Sequence, residues 1–105
     1  MADNNSIDVN IDKFIHERAR LLILTNLATR EEKKVPFNEL KSALDMTAGN
    51  LSVQLRNLED IGYVQIEKTI EGRKTVTRVS LKPKGYDTFM TYLDNMEKII
   101  RSIKE

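Results

Sequence analysis

The sequence predicts a mainly α domain carrying a small β-hairpin. Three observations predict it. Apolar residues recur at helical spacing in segments between Ile11 and Ile61, and two β-branched, alternating runs then flank a short tip with one glycine. A proline opens a last, long stretch whose apolar positions step by three and four. At 105 residues the chain suits one compact domain. Apolar residues make up 40% and charged residues 31%, enough core material to oppose disorder. With no Cys, disulfides, thiolate metal sites and Cys nucleophiles are excluded, and the single His16 cannot build a His-rich metal site. No metal or other cofactor is expected. The 17 Lys+Arg against 16 Asp+Glu leave a formal +1, so net charge alone names no partner. No apolar run reaches the ~18–20 residues of a membrane span and no signal-like segment opens the chain, so no membrane partner and a cytoplasmic location are expected.

Taken in order, residues 1–10 are polar and aperiodic and read as a flexible N-terminal tail. The period begins at Ile11, with Asp12 as the expected cap and Phe14, Ile15, Leu21, Leu22, Leu24, Leu27 and Ala28 as the apolar positions of a first helix. The charged run Thr29–Lys34 ends it. Pro36 then keeps Val35 out of helical conformation and predicts a short extended segment, Val35–Phe37. Asn38 is the expected cap of a short second helix carrying Leu40, Ala43 and Leu44, which stops around Asp45-Met46. Thr47 caps a third helix that runs to Ile61. Gly62 is placed to end it in the left-handed conformation, with apolar Tyr63 following.

On that third helix Leu51, Leu55 and Leu58 lie within about 60° of one another and must face the core. Gly49, Val53, Arg56, Asn57 and Asp60 then face outward, flanked by Asn50 and Ser52. Next come the hairpin strands, Tyr63–Ile70 and Thr75–Leu81, with Glu71–Lys74 as the turn. From Tyr63 to Gly85 six basic residues, among them Lys68, Arg73, Lys74 and Arg78, stand against two acids, a local net of +4. Second and third helices about three residues apart make a helix-turn-helix, and a hairpin directly after it makes a winged helix-turn-helix, expected over 11–85. In that setting Asn50 and Arg56 can pair with base edges, while small Gly49 and Ser52 let the helix approach closely. Thr47, Val53 and Asn57 complete the expected DNA-facing set, with Lys68, Arg73, Lys74 and Arg78 on the flanking backbone.

Pro83 suits the first position of the last helix, which reaches Ile103. Tyr86, Phe89/Met90, Leu93, Met96, Ile100 and Ile103 follow the seam spacing of a coiled coil. The stripe outruns what so small a domain can cover. Residues 86–105 are therefore expected to be a long C-terminal dimerisation helix, with Phe89, Leu93, Met96, Ile100 and Ile103 at the interface.

The stretch Thr47-Ala48-Gly49-Asn50-Leu51-Ser52-Val53-Gln54-Leu55-Arg56-Asn57-Leu58-Glu59-Asp60-Ile61-Gly62-Tyr63-Val64 resembles the recognition-helix signature of winged-helix transcriptional regulators of the MarR/ArsR-like type. Arg18-Ala19-Arg20-Leu21-Leu22-Ile23-Leu24 is similar to the Arg-x-x-Ile-Leu stretch of their first helix. Leu81-Lys82-Pro83-Lys84-Gly85 is similar to their Leu-Thr-Pro-x-Gly exit from the wing, with Lys82 in place of Thr. The resemblance spans Ile15 to Leu93 and comes nearest to the small single-domain subgroup. It implies a homodimeric transcriptional regulator that binds double-stranded DNA through the third helix and the wing. The Cys and His clusters of the family's metal sensors have no counterpart here, and no small-molecule effector is indicated. The other reading is a winged-helix module that docks protein within a larger assembly. A third helix with one basic residue, Arg56, beside Glu59 and Asp60 favours it, and the basic wing opposes it. No Gly-rich phosphate loop and no catalytic constellation is present, so no enzyme activity is expected.

Overall fold

The structure, a computed structural model, describes residues 12–105; the expected tail, 1–10, lies outside the described residues. Seven elements follow one another: α1 (Arg18–Ala28), β1 (Lys34–Pro36), α2 (Phe37–Leu44), α3 (Ala48–Asp60), β2 (Val64–Glu71), β3 (Lys74–Leu81) and α4 (Pro83–Lys104). The winged helix-turn-helix with a long last helix is thus present, and β1 adds a third strand to the hairpin. The sheet order is β1-β3-β2, antiparallel throughout, with Val35 and Ile66 both opposite Val79.

The first helix starts later than its apolar period suggests. Glu17 holds an extended backbone (φ −65°, ψ 132°) and its carboxylate accepts the Ala19 amide, so α1 begins after it. Asp12 caps a separate turn instead, its Oδ1 accepting from the amides of Phe14 at 2.9 Å and Ile15 at 3.2 Å. Ile15 is fully buried from that turn, so helical spacing there marks burial without helix. His16, in the same turn, places Nδ1 2.7 Å from the Tyr92 hydroxyl on α4. Burial raises the Tyr92 pKa above its ordinary value, and the charge of Asp12 adds to the shift.

The second helix also departs from expectation. It begins at Phe37, directly after Pro36, so Asn38 lies inside its first turn and does not cap it. Ala43 is exposed, and Leu40 is the residue that α2 buries. The tight turn into α3 passes through Asp45 in left-handed conformation (φ 52°, ψ 50°), with the Met46 amide returning to the Lys41 carbonyl at 3.1 Å.

α3 matches its sequence signals closely. Thr47 Oγ1 accepts the Asn50 amide at 3.1 Å, the expected cap. Leu51, Leu55 and Leu58 are buried, each worth about 1.5–3 kcal/mol of transfer free energy. Gly62 (φ +87°) ends the helix, the Tyr63 amide bonding the Leu58 carbonyl and the Gly62 amide that of Glu59, both at 2.9 Å. The core these leucines enter is built from Ile23, Leu24 and Leu27 of α1, Leu40 of α2, Val64, Val79 and Leu81 of the sheet, and Phe89 and Tyr92 of α4.

α4 leaves this core. Gly85, Phe89 and Tyr92 are buried in its first three turns, and the helix then continues along a molecule 60 Å long and about 25 Å across. Gly85 sits against the root of the wing: a Cβ there would lie 2.8 Å from Tyr63 Cα and closer still to the Tyr63 carbonyl oxygen. No helix among the described residues is long and apolar enough to cross a membrane.

Candidate nucleic-acid interface

The outward side of α3 and the wing enclose an open cleft of about 620 Å³. Ser52, Arg56 and Glu59 line it from α3, Lys68 and Thr77 from the wing, and Phe37, Leu55 and Ile66 form its apolar floor. Three of the sequence-predicted site residues, Ser52, Arg56 and Lys68, therefore converge on one groove. Thr47, Gly49, Asn50 and Val53 continue the exposed surface towards the front of α3. Val53 is 54% exposed, and nothing lies within 4 Å of where a Gly49 Cβ would stand. Asn57 is half-buried at the helix flank.

Strand alternation divides the wing into two unlike faces. Ile66, Lys68 and Ile70 of β2 lie opposite Val79, Thr77 and Thr75 of β3 and form the face towards the cleft. Glu67, Thr69 and Glu71 lie opposite Arg78, Val76 and Lys74 on the other face. Both acids of the wing are thus on the face away from α3, and both are engaged. Glu71 forms a salt bridge with Arg78 and also accepts a hydrogen bond from Thr69 Oγ1, while Glu67 lies 3.7 Å from the Lys34 ammonium. Bonding to Arg78, and secondly to Thr69, lowers the Glu71 pKa, and the same pair raises that of Arg78.

Arg78, expected at the DNA backbone, is therefore turned from the cleft and occupied within the wing. Lys84 is occupied as well: its Nζ donates to the Ile61 carbonyl at the end of α3, at 2.9 Å. Arg56, Lys68, Arg73 and Lys74 have no ion-pair partner among the described residues. Arg73 and Lys74 stand at the tip, where Gly72 (φ +68°) is the first of two loop residues, the glycine position of a type II′ turn.

Two supports of the site escaped the sequence reading. Arg20 Nε donates to Gln54 Oε1 at 3.0 Å, tying α1 to the flank of α3, while the Arg20 guanidinium lies 4.1 Å from the centre of the Phe14 ring. Glu59 Oε2 accepts the Ile66 amide at 3.0 Å, joining α3 to β2. The Arg-x-x-Ile-Leu likeness at Arg20 was a signal for the first. For the second, only the register of the hairpin brings the partners together.

The expected dimer residues divide. Phe89 is 2% exposed and belongs to the protomer's own core, because it lies on the same side of α4 as buried Gly85 and Tyr92. Met96 is half-buried. Leu93 (39% exposed), Ile100 (48%) and Ile103 (78%) leave an apolar strip open to solvent.

The family profile of winged helix DNA-binding domains matches residues 19–100. An uncharacterised protein of Methanocaldococcus jannaschii is 31% identical over 68 residues, which cover 65% of this chain and 74% of that one. A transcriptional regulator homologue from Pyrococcus horikoshii OT3 is similar in structure, with a TM-score of 0.77 at 28% identity over 88% of this chain and 89% of its own. Sco3205, a MarR family transcriptional regulator from Streptomyces coelicolor solved in complex with DNA, shares the fold with a TM-score of 0.66 at 19% identity. The match covers 88% of this chain but 61% of that longer one. The fold, the helix-turn-helix spacing and the family match agree: the chain belongs to the winged helix DNA-binding domain family.

Proposed function

We propose that the protein is a homodimeric transcriptional regulator that binds double-stranded DNA and reads its sequence. The observation that carries this reading is the groove in which Ser52 and Arg56 of α3 face Lys68 of the wing, all three open to solvent. An α-helix fits the major groove, and unpaired cations beside it neutralise phosphates. Asn50 and Val53, near the front of α3, read base edges: the amide pairs with adenine and the Val53 methyls meet the methyl of thymine. Thr47, Gly49 and Asn57 frame the approach. Ser52, Arg56, Lys68, Arg73 and Lys74 hold backbone phosphates. Arg78 acts from within the wing, through Glu71.

Dimerisation uses the open strip of α4. Leu93, Met96, Ile100 and Ile103 pair with a second copy, and Phe89 supports them from the core side. Two-fold symmetry then makes the target an inverted repeat with half-sites one helical turn apart, ~34–36 Å, or a multiple of it. The MarR family structure solved with DNA makes the same class of ligand reasonable for this chain.

Selection of bound duplexes from a random pool, followed by titration at two salt concentrations, tests the reading. An inverted repeat is expected, with a preference that relaxes in Asn50→Ala and persists in Lys74→Ala. Each discriminating base pairing is worth about 1–3 kcal/mol. Binding without any recovered motif would leave a protein that coats DNA without reading it. No binding at either salt concentration would favour the protein-docking module.

A further inference from the structure

The wing leaves α3 through the three residues Ile61, Gly62 and Tyr63. Gly62, in left-handed conformation, is a pivot without a side chain to stiffen it. At its root the wing is tied to the body by Lys82 N–H to the Tyr63 carbonyl (2.9 Å) and Leu81 N–H to the Lys33 carbonyl (2.8 Å). Further out, β2 is an edge strand with no neighbour among the described residues on the side away from β3. The bond between Glu59 Oε2 and the Ile66 amide falls on that edge. It closes a loop around the Gly62 pivot and is the outermost hydrogen bond between α3 and β2 among the described residues.

We infer that Glu59 is a positioning residue for DNA reading: by holding the Ile66 edge amide it sets the angle between recognition helix and wing, and so selects the phosphate that Arg73 and Lys74 reach. This rests on the DNA-binding reading above. The leverage is large. From Gly62 to Arg73 the chain spans about 36 Å at ~3.3 Å per residue, so a turn of about 10° at the pivot moves the tip by about 6 Å. That exceeds the tolerance of a hydrogen bond to phosphate. The placement also explains an acid in a groove otherwise lined by Arg56 and Lys68: its lone pair is committed to the backbone of the wing.

The test uses the full chain with E59A and E59Q, each with and without R73A/K74A. Because the chain has no cysteine, spin labels at D60C and R73C report the helix-to-wing distance without background. E59A is expected to broaden that distance distribution. E59Q, which keeps an acceptor oxygen, should leave it narrow. Against a fluorescein-labelled random-sequence duplex, E59A should weaken binding about tenfold and E59Q much less. The loss caused by R73A/K74A should shrink in the E59A background, a coupling that a merely structural or independent role would not produce. A narrow distance distribution in E59A, or an undiminished loss from R73A/K74A, overturns the role of Glu59. Failure of the unmodified chain to bind any duplex overturns the DNA reading itself, which separates the two failures.

Discussion

α3 and α4 are both amphipathic helices, and they finish their apolar faces differently. In α3 the three leucines are covered by the protomer itself, and what remains outside is small, polar or charged, acids Glu59 and Asp60 included, with Val53 as the one large apolar residue in the open. In α4 full burial ends at Tyr92 and Met96 is only half-buried, while Leu93, Ile100 and Ile103 stay open to solvent. A completed stripe leaves a helix free to present hydrogen-bonding groups to a polar ligand. An unfinished one leaves surface whose burial needs another chain. Under the proposed function, the difference between the two helices is a division of tasks, one face for nucleic acid and one for a second copy.

The comparison breaks most completely at the open strip. Replacing Leu93 and Ile100 together by Glu places charge in the proposed seam and should weaken self-association by at least about a hundredfold, giving monomers. Sedimentation at micromolar concentration reads this directly, and a monomeric unmodified chain would remove the task assigned to α4. Next is the joint between the two regions. Gly85→Ala drives a methyl into the Tyr63 backbone and should cost about 3 kcal/mol of stability, measured by urea unfolding, since neither partner is the end of a flexible side chain. The charged tip comes third. Arg73→Ala with Lys74→Ala should weaken binding to all duplex sequences alike and flatten the log–log salt dependence by about 0.9 for each phosphate no longer neutralised. An unchanged slope would take the tip away from the backbone. The smallest effect sharpens the entry to α4. Lys82 caps the helix without a side-chain bond, so Lys82→Thr should raise stability by about 0.5–1 kcal/mol and leave DNA binding to α3 intact.

How far this arrangement is legible in the sequence differs by element. α3 is readable end to end, because its cap at Thr47, its leucine period and the terminating Gly62 are all local signals. The start of α1 is not, because Phe14 and Ile15 continue the apolar period into a turn that Glu17 separates from the helix. In α4 the spacing of three and four picks out one stripe, but the stripe straddles two surroundings. Phe89 belongs to the core, Leu93 is partly open, and Tyr92, outside the predicted seam, is buried. Period alone cannot tell which apolar residues the protomer itself will cover. At the site, the basic excess of the wing is visible by counting, whereas its distribution is not. Which cations remain free depends on cross-strand register, which pairs Arg78 with Glu71 and leaves Lys68 in the cleft.

The close approach of Gly85 to Tyr63 has a mechanical consequence. Most helices rest on their neighbours through side chains, whose rotamers act as springs that take up small displacements. Here backbone meets backbone, and the adjoining Lys82 amide is fastened to the same Tyr63 carbonyl. With no spring between them, a slide of α4 is transmitted to the first residue of the wing almost without slack. Any force that reorients the long helix, whatever its origin, therefore arrives undamped at the root of the wing.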